Sequence, residues 1–223
     1  MIPFVKHPSV KLPTMDTSAD TKPGLRADAR RNHEKIIDGA RQVFARNGAS
    51  AQMEDVARAS GVGVGTVYRH FPTKEALMTE LVRRNFELFA SAARDALTDD
   101  REPFEVLADV LRRNAELTAG DTAVQQAMMG AGAEVWAGTE PERHRLGQLF
   151  QELVERAQQA GTMRPDLGAD DIPMLMCGVC ATMGHTASGF DWRRHLELAI
   201  DSLRACEGSR DALRGSRDAL RAL

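Results

Sequence analysis

Little of this chain is aromatic and less of it is cysteine: 5% of the residues are Phe, Trp or Tyr, with a single Tyr, and only three are Cys. Three cysteines cannot staple a small secreted fold, and with no export signal in view they point to a reducing cytoplasm. No apolar run reaches the roughly 20 residues a membrane-spanning helix needs. The best candidate, Ile172 to Gly184, is too short. No β-branched alternating run bounded by turn residues occurs, so nothing predicts a sheet. Neither a Ser/His/Asp set nor a paired-carboxylate constellation emerges, and catalysis is not expected.

What is present is helical periodicity and an uneven charge. A net charge of −3 divides into a basic head and an acidic body: residues 1–74 carry 12 Lys and Arg against 7 Asp and Glu. Such a head can approach nucleic acid in one orientation only. Residues 1–26 mix Pro, Thr, Ser, Asp and Lys without an apolar period and are expected to form a disordered arm. The first helix is predicted from Asp28 to Arg46, with Gly48 ending it in the left-handed conformation. Beyond Lys74, helices are predicted over Lys74–Leu97, Pro103–Ala119 and Thr122–Trp136. Another carries Leu146, Leu149, Phe150, Leu153, Val154 and Ala157 on one face. Two more open at Asp170 and Asp191; the last presents Trp192, Leu196, Ala199, Ile200 and Leu203 on its apolar face. The tail repeats Gly208-Ser-Arg-Asp-Ala-Leu-Arg214 as Gly215–Arg221, too briefly for a coiled coil.

The most informative stretch is Ser60 to Glu75. With the amphipathic Met53–Ala59 before it, it reads as helix, glycine turn, helix. The second helix, about Val64 to Phe71, has Val64, Val67 and Phe71 at inward spacing. Its outward side carries Thr66, Tyr68, Arg69 and His70, with Lys74 just beyond. That is a donor set for gripping phosphate oxygens and reading base edges. A short, seated helix with this face predicts a helix-turn-helix. Gly65 removes side-chain bulk, so Val64 can press its methyls towards a thymine methyl. Arg69 has two open roles, a bidentate pair to guanine or a phosphate clamp. The glycines of Gly61-Val62-Gly63-Val64-Gly65 do not form a nucleotide loop, because no strand precedes them and Thr66 stands where a third glycine is needed.

The same residues resemble the N-terminal DNA-binding domain of the TetR/AcrR family of bacterial transcriptional repressors, from about Arg30 to Leu81. The likeness rests on Ile36-Ile37, Ala40, Val43-Phe44-Ala45 and Gly48, then Asp55-Val56-Ala57 and Ser60-Gly61-Val62, and finally Gly65-Thr66-Val67-Tyr68-Arg69-His70-Phe71-Pro72 through Leu77. It implies an all-α chain: a three-helix helix-turn-helix domain over 27–73, a helical ligand-binding and dimerisation domain over 74–206, and the repeated tail at 207–223. It implies phosphate contacts by Tyr68, His70 and Lys74, with Gln52 standing where the family usually has Thr. Two departures stand out, Gly63 where Ser is common and Arg69 where a second aromatic is common. The family likeness further implies a homodimer on a palindromic double-stranded DNA operator, released by a small-molecule effector, with no cofactor, metal or membrane involved. The last two helices, about Asp170–Ser188 and Asp191–Cys206, would pack against their symmetry mates. Candidate effector contacts are Phe86, Phe89, Leu111, Met128, Met129, Trp136 and Phe150, and their Met and aromatic character suits an apolar or aromatic ligand. The alternative is a metal- or redox-sensing regulator using Cys177 and Cys180 among Met174, Met176, Met183 and His185.

Overall fold

The computed structural model describes residues 23–184 and 189–205. Most of the expected arm and the whole repeated tail lie outside the described residues, as does His185. Ten α-helices occur among the described residues, and no strand; one isolated antiparallel bridge joins Met163 to Arg204.

Helix α1 (Pro23–Asn47) begins earlier than predicted. Proline is well tolerated there, since the first turn has no intrahelical use for its missing N–H. Ile36, Ile37, Ala40, Val43 and Phe44 form its buried stripe. Gly48 ends it at φ +50 and opens a single 3-10 turn, Gly48–Ser50. Helix α2 (Met53–Ser60) places Glu54 and Asp55 in its first turn, where their charge suits the helix dipole. Helix α3 (Val64–His70) follows after the glycine turn.

Thr73 caps α4 (Lys74–Ala96), its hydroxyl accepting the Ala76 N–H at 3.0 Å. Glu102 caps α5 (Pro103–Gly120), accepting from the N–H groups of Phe104 and Glu105. Asp121 does the same for α6 (Thr122–Met129). The single helix predicted over Thr122–Trp136 is in fact two. Gly130 closes α6 and Gly132 precedes α7 (Ala133–Gly138), and two glycines within three residues outweigh the apolar period. Helices α8 (Glu140–Gln159), α9 (Asp171–Met183) and α10 (Trp192–Leu203) complete the chain, with Asp191 capping α10.

The side chains bury themselves in two clusters. One joins α1, α2 and α3 to the first part of α4 and reaches on to Ala123, Ala127 and Val135 of α6 and α7. The other is built from α5, α8, α9 and α10 around Phe104, Leu107, Leu153, Ile200 and Leu203. At about 1.5 Å per residue, α4 is roughly 35 Å long and contributes to both. Ion pairs reinforce the α1–α4 seam. Arg84 donates two hydrogen bonds to Glu34, at 2.7 and 2.8 Å, and a third to Glu80. Burial works against the Glu80 charge, but hydrogen bonds from Arg83 and Arg84 outweigh it and hold its carboxyl down at about 2. The seam is therefore fully charged across neutral pH.

Helices α1 and α2 touch backbone to backbone at Gly39. A methyl there would lie 2.2 Å from the Ser60 hydroxyl and 2.9 Å from the Ser60 backbone nitrogen. The hydroxyl can turn away; the backbone nitrogen moves only with α2. Gly39→Ala is therefore expected to destabilise the protein by about 1–3 kcal/mol, despite alanine's better helix propensity. A urea melt with an unchanged midpoint would contradict this close approach.

Candidate nucleic-acid interface

The α2–α3 corner is made by Gly61, whose φ of +64 a side chain would resist. Its N–H reaches the carbonyls of Ala57 and Arg58, and the Val62 N–H bonds that of Ala57 at 3.2 Å, which satisfies the end of α2. Gly63 then starts α3 with no side-chain cap, as its departure from the common Ser implies. Val67 and Phe71 are buried against α1 and α2 and fix the rotation of α3 about its axis.

That rotation decides which side chains remain available. Tyr68, Arg69 and Gly65 are exposed, while Thr66, His70 and Lys74 are half-buried. Val64 does not face inward as its spacing predicted; it is 43% exposed and joins the outer face. Arg69 lies back along its own helix, with Nε donating to the Gly65 carbonyl at 3.1 Å and Nη2 to the Thr66 hydroxyl at 3.2 Å. The Tyr68 hydroxyl sits 3.5 Å from Glu54. Lys74 lies with its ammonium 5.7 Å from the centre of the Phe44 ring. Gln52, at the start of α2, is exposed and donates to the Ser50 carbonyl. Arg30 and Arg31 are exposed on α1, Arg31 paired with Asp28; the side chain of Arg26 lies outside the described residues.

One neighbour of this face was not legible in the sequence. His33 of α1 packs its ring 5.8 Å from His70 and 5.0 Å from Phe71, with Nε2 3.6 Å from Glu80. Burial, then the electrostatic influence of neighbouring His33 and of the Arg69 guanidinium, pushes the His70 pKa below its ordinary value of 6.5. Near pH 7 His70 is therefore a neutral donor, and Lys74 and Arg69 carry the charge of the face.

The expected effector contacts do not share one cavity. Phe86, Phe89 and Trp136 come together, with Phe86 6.1 and 6.4 Å from the other two rings, and Met128 packs beside them. Leu111 and Phe150 belong to the other cluster, and Met129 is exposed. Leu111 lines only a gap of about 10 Å³ against α9 and α10, room for a single water molecule. A larger open cleft, about 470 Å³, lies elsewhere. It is lined by Arg41 of α1, Asn85 and Leu88 of α4, Arg113, Glu116, Leu117 and Gly120 of α5, and Asp121.

On α9 and α10 the faces are the reverse of expectation. Leu196 and Leu203, predicted to meet a second copy, are 3% and 1% exposed and belong to the chain's own core. The uncovered apolar side chains are Met174, 66% exposed, and Leu198, 50% exposed; Cys177, one turn on from Met174, is exposed as well. The soft-ligand set is dispersed: Met183 is buried, Met174 points out, and no metal-holding cluster of His, Cys, Asp or Glu forms among the described residues. Burial, then the neighbouring Cys177, pushes the Cys180 thiol up to about 11, which makes it a poor thiolate at neutral pH.

Known proteins share this arrangement. A family profile described as bacterial regulatory proteins, tetR family, matches residues 36–81, and one described as transcriptional regulator SbtR-like, C-terminal domain, matches residues 102–205. The chain is 28% identical over 193 residues to the HTH-type transcriptional repressor KstR of Rhodococcus jostii (strain RHA1), covering 83% of this chain and 89% of that one. Among solved structures, the TetR transcription regulatory protein from Mycobacterium vanbaalenii is 31% identical with a TM-score of 0.55, over 81% of this chain and 99% of that one. The transcriptional regulator FadR from Bacillus subtilis, solved in complex with stearoyl-CoA, is 22% identical with a TM-score of 0.63, over 75% and 97% of the two chains. That last likeness is one of fold.

Proposed function

We propose that this chain, which belongs to the TetR family of bacterial regulatory proteins, is a cytoplasmic repressor that binds a palindromic operator as a homodimer and lets go when a small apolar or aromatic effector binds. The observation that carries the reading is α3: a seven-residue helix behind a left-handed glycine, anchored by Val67 and Phe71, with Val64, Gly65, Thr66, Tyr68 and Arg69 turned outward. Base edges would meet Val64, Thr66 and Arg69; phosphates would meet Tyr68, His70, Lys74 and Gln52. One such helix spans only a few base pairs, so useful specificity requires two, presented by a two-fold dimer. The uncovered apolar faces of α9 and α10, around Met174 and Leu198, supply the self-complementary surface.

Release follows from how α6 is placed. It packs against α1 on one side and, together with α7, which contributes Trp136, covers Phe86 and Phe89 of α4 on the other. An apolar ligand seated among those rings would have to displace α6 or α7, whose Gly130–Gly132 link yields most easily, and α1 would follow. Altered spacing between two heads then costs operator contacts at both half-sites.

Selection of bound DNA from a random pool tests the reading. A symmetric pair of short motifs about one helical turn apart is expected; enrichment of no motif would overturn it. The same selection decides the role of Arg69. Released from Gly65 and Thr66, its fork reaches guanine, so Arg69→Lys should cost roughly 1–3 kcal/mol against the best site and relax preference at one symmetric pair of positions. Identical preferences in wild type and Arg69→Lys would assign Arg69 to phosphate alone.

A further inference from the structure

His33 and His70 meet at the edge of the DNA-facing surface, and the two imidazoles have unequal surroundings. Their rings lie 5.8 Å apart, edge to face, on α1 and α3. Neither can swing away cheaply. His33 also packs 5.0 Å from the ring of Phe71, the side chain that anchors α3, and both imidazoles are half-buried. His33 has an acid close by, its Nε2 3.6 Å from Glu80 Oε1 of α4. The fixed charge felt at His70 is a cation, Arg69 on its own helix. The other charged groups on the surrounding helices are engaged elsewhere or open to solvent. Glu34, next to His33 on α1, is held by Arg84, and Glu80 is shared by Arg83 and Arg84. Glu54 of α2 meets the Tyr68 hydroxyl, and Lys74 at the start of α4 lies near the Phe44 ring. Arg30, one turn before His33, is exposed.

We propose that His33 is a positioning residue that acts through His70: it takes up the proton that would otherwise settle on His70, and so confines a charge-assisted hold on DNA phosphate to the acid side of neutrality. A proton on His33 lies beside the Glu80 carboxylate, whereas no ion pair among the described residues gives His70 an acid. Once His33 is charged, a second positive charge 5.8 Å away is repelled, by His33 and by Arg69 together. A phosphate brought against His70 supplies the missing anion, so binding DNA favours the protonated ring. By linkage, affinity then rises as the pH falls and is lost as the pH climbs past the pKa that His70 has on DNA. His33 sets where that window lies, because the phosphate must first overcome its repulsion. The consequence for DNA rests on the regulator reading, with His70 on a phosphate; the coupling of the two rings does not.

Two measurements on the full chain test this. In the free protein, proton NMR follows the His70 ring signal, identified by its absence from His70→Gln. The His33 side chain keeps 31% of its surface in solvent, so His33→Gln is expected to fold, with a polar group of similar size that carries no charge. It should move the His70 titration to higher pH. With a random-sequence duplex, wild-type affinity should climb on the acid side of neutrality, by up to about tenfold per pH unit for each head that takes up a proton. His33→Gln should move that climb to higher pH and leave affinity at alkaline pH unchanged, and His70→Gln should flatten it. An equal loss at every pH in His33→Gln would reduce His33 to a packing role and overturn the proposal. So would an unmoved His70 titration, or a climb that survives His70→Gln. Duplex binding by no form at any pH would sink the regulator reading alone, with the ring titrations still deciding the coupling.

Discussion

Glutamate at both Met174 and Leu198 is expected to give a folded monomer that no longer holds operator DNA. Both side chains are largely uncovered in the single chain, so its own core does not depend on them. In a two-fold bundle of α9 and α10 with their symmetry mates, four carboxylates would be pressed into an apolar seam without partners, and association would fail. Without a tethered second head, the second half-site ceases to be a local event, and affinity should fall by about 10²–10⁴-fold. Sedimentation velocity should show one protomer, with unchanged helical circular dichroism. A different fate awaits Leu196→Glu or Leu203→Glu, which place charge in the protomer's own interior and should unfold it. A persistent dimer in the Met174/Leu198 variant would move the interface to another surface.

The second large effect is expected from Tyr68→Phe, His70→Ala and Lys74→Ala combined. Together they should weaken specific and random DNA alike, by about a hundredfold or more, because phosphate contacts hold the protein without reading sequence. Their salt dependences should differ. Lys74→Ala removes a cation and should flatten the log–log slope by about 0.9 per half-site. His70→Ala should leave that slope unchanged near pH 7, since burial, His33 and Arg69 keep its imidazole neutral in the free protein. Its share should emerge only as the pH falls through its lowered pKa and the ring takes up a proton. Normal binding by the triple variant would remove α3 from the interface altogether.

The residues that end helices were the most legible part of this fold. Thr73, Pro103, Asp191, Gly48 and Gly61 act through their own backbone or a hydrogen bond two or three residues away, so they work the same way in any tertiary setting. Val64 drew two readings, inward by its spacing and outward towards a thymine methyl, and only the packing chooses between them. An apolar residue in the first turn of a short helix is buried only if a neighbouring helix extends that far, and spacing says nothing about where a neighbour stops. The last helix failed for a related reason. Its period correctly identified Leu196, Ile200 and Leu203 as one face, but it could not say whether that face met the chain's own core or a second copy. Of the suggested effector contacts, Phe86, Phe89, Met128 and Trp136 converge because α4, α6 and α7 share a cluster, whereas Leu111 and Phe150 lie in the other. The cleft was beyond reach: Arg41, Leu88 and Arg113 are brought together only by the packing of three helices.

That α4 and the α6–α7 pair complete the first hydrophobic cluster bears on how such a protein can be recombined. Swapping DNA specificity between relatives by exchanging residues up to the end of α3 would graft a new inner surface onto Leu81, Val82, Ala123, Ala127 and Val135 of the recipient. The donor's Ile36, Ile37 and Phe44 equivalents would then have to fit side chains selected beside a different α1. The workable crossover is thus a packing surface, not a position in the chain. A chimera designer would transplant α1 to α4 and the facing residues of α6 and α7 as one unit, or retune those few contacts after the graft.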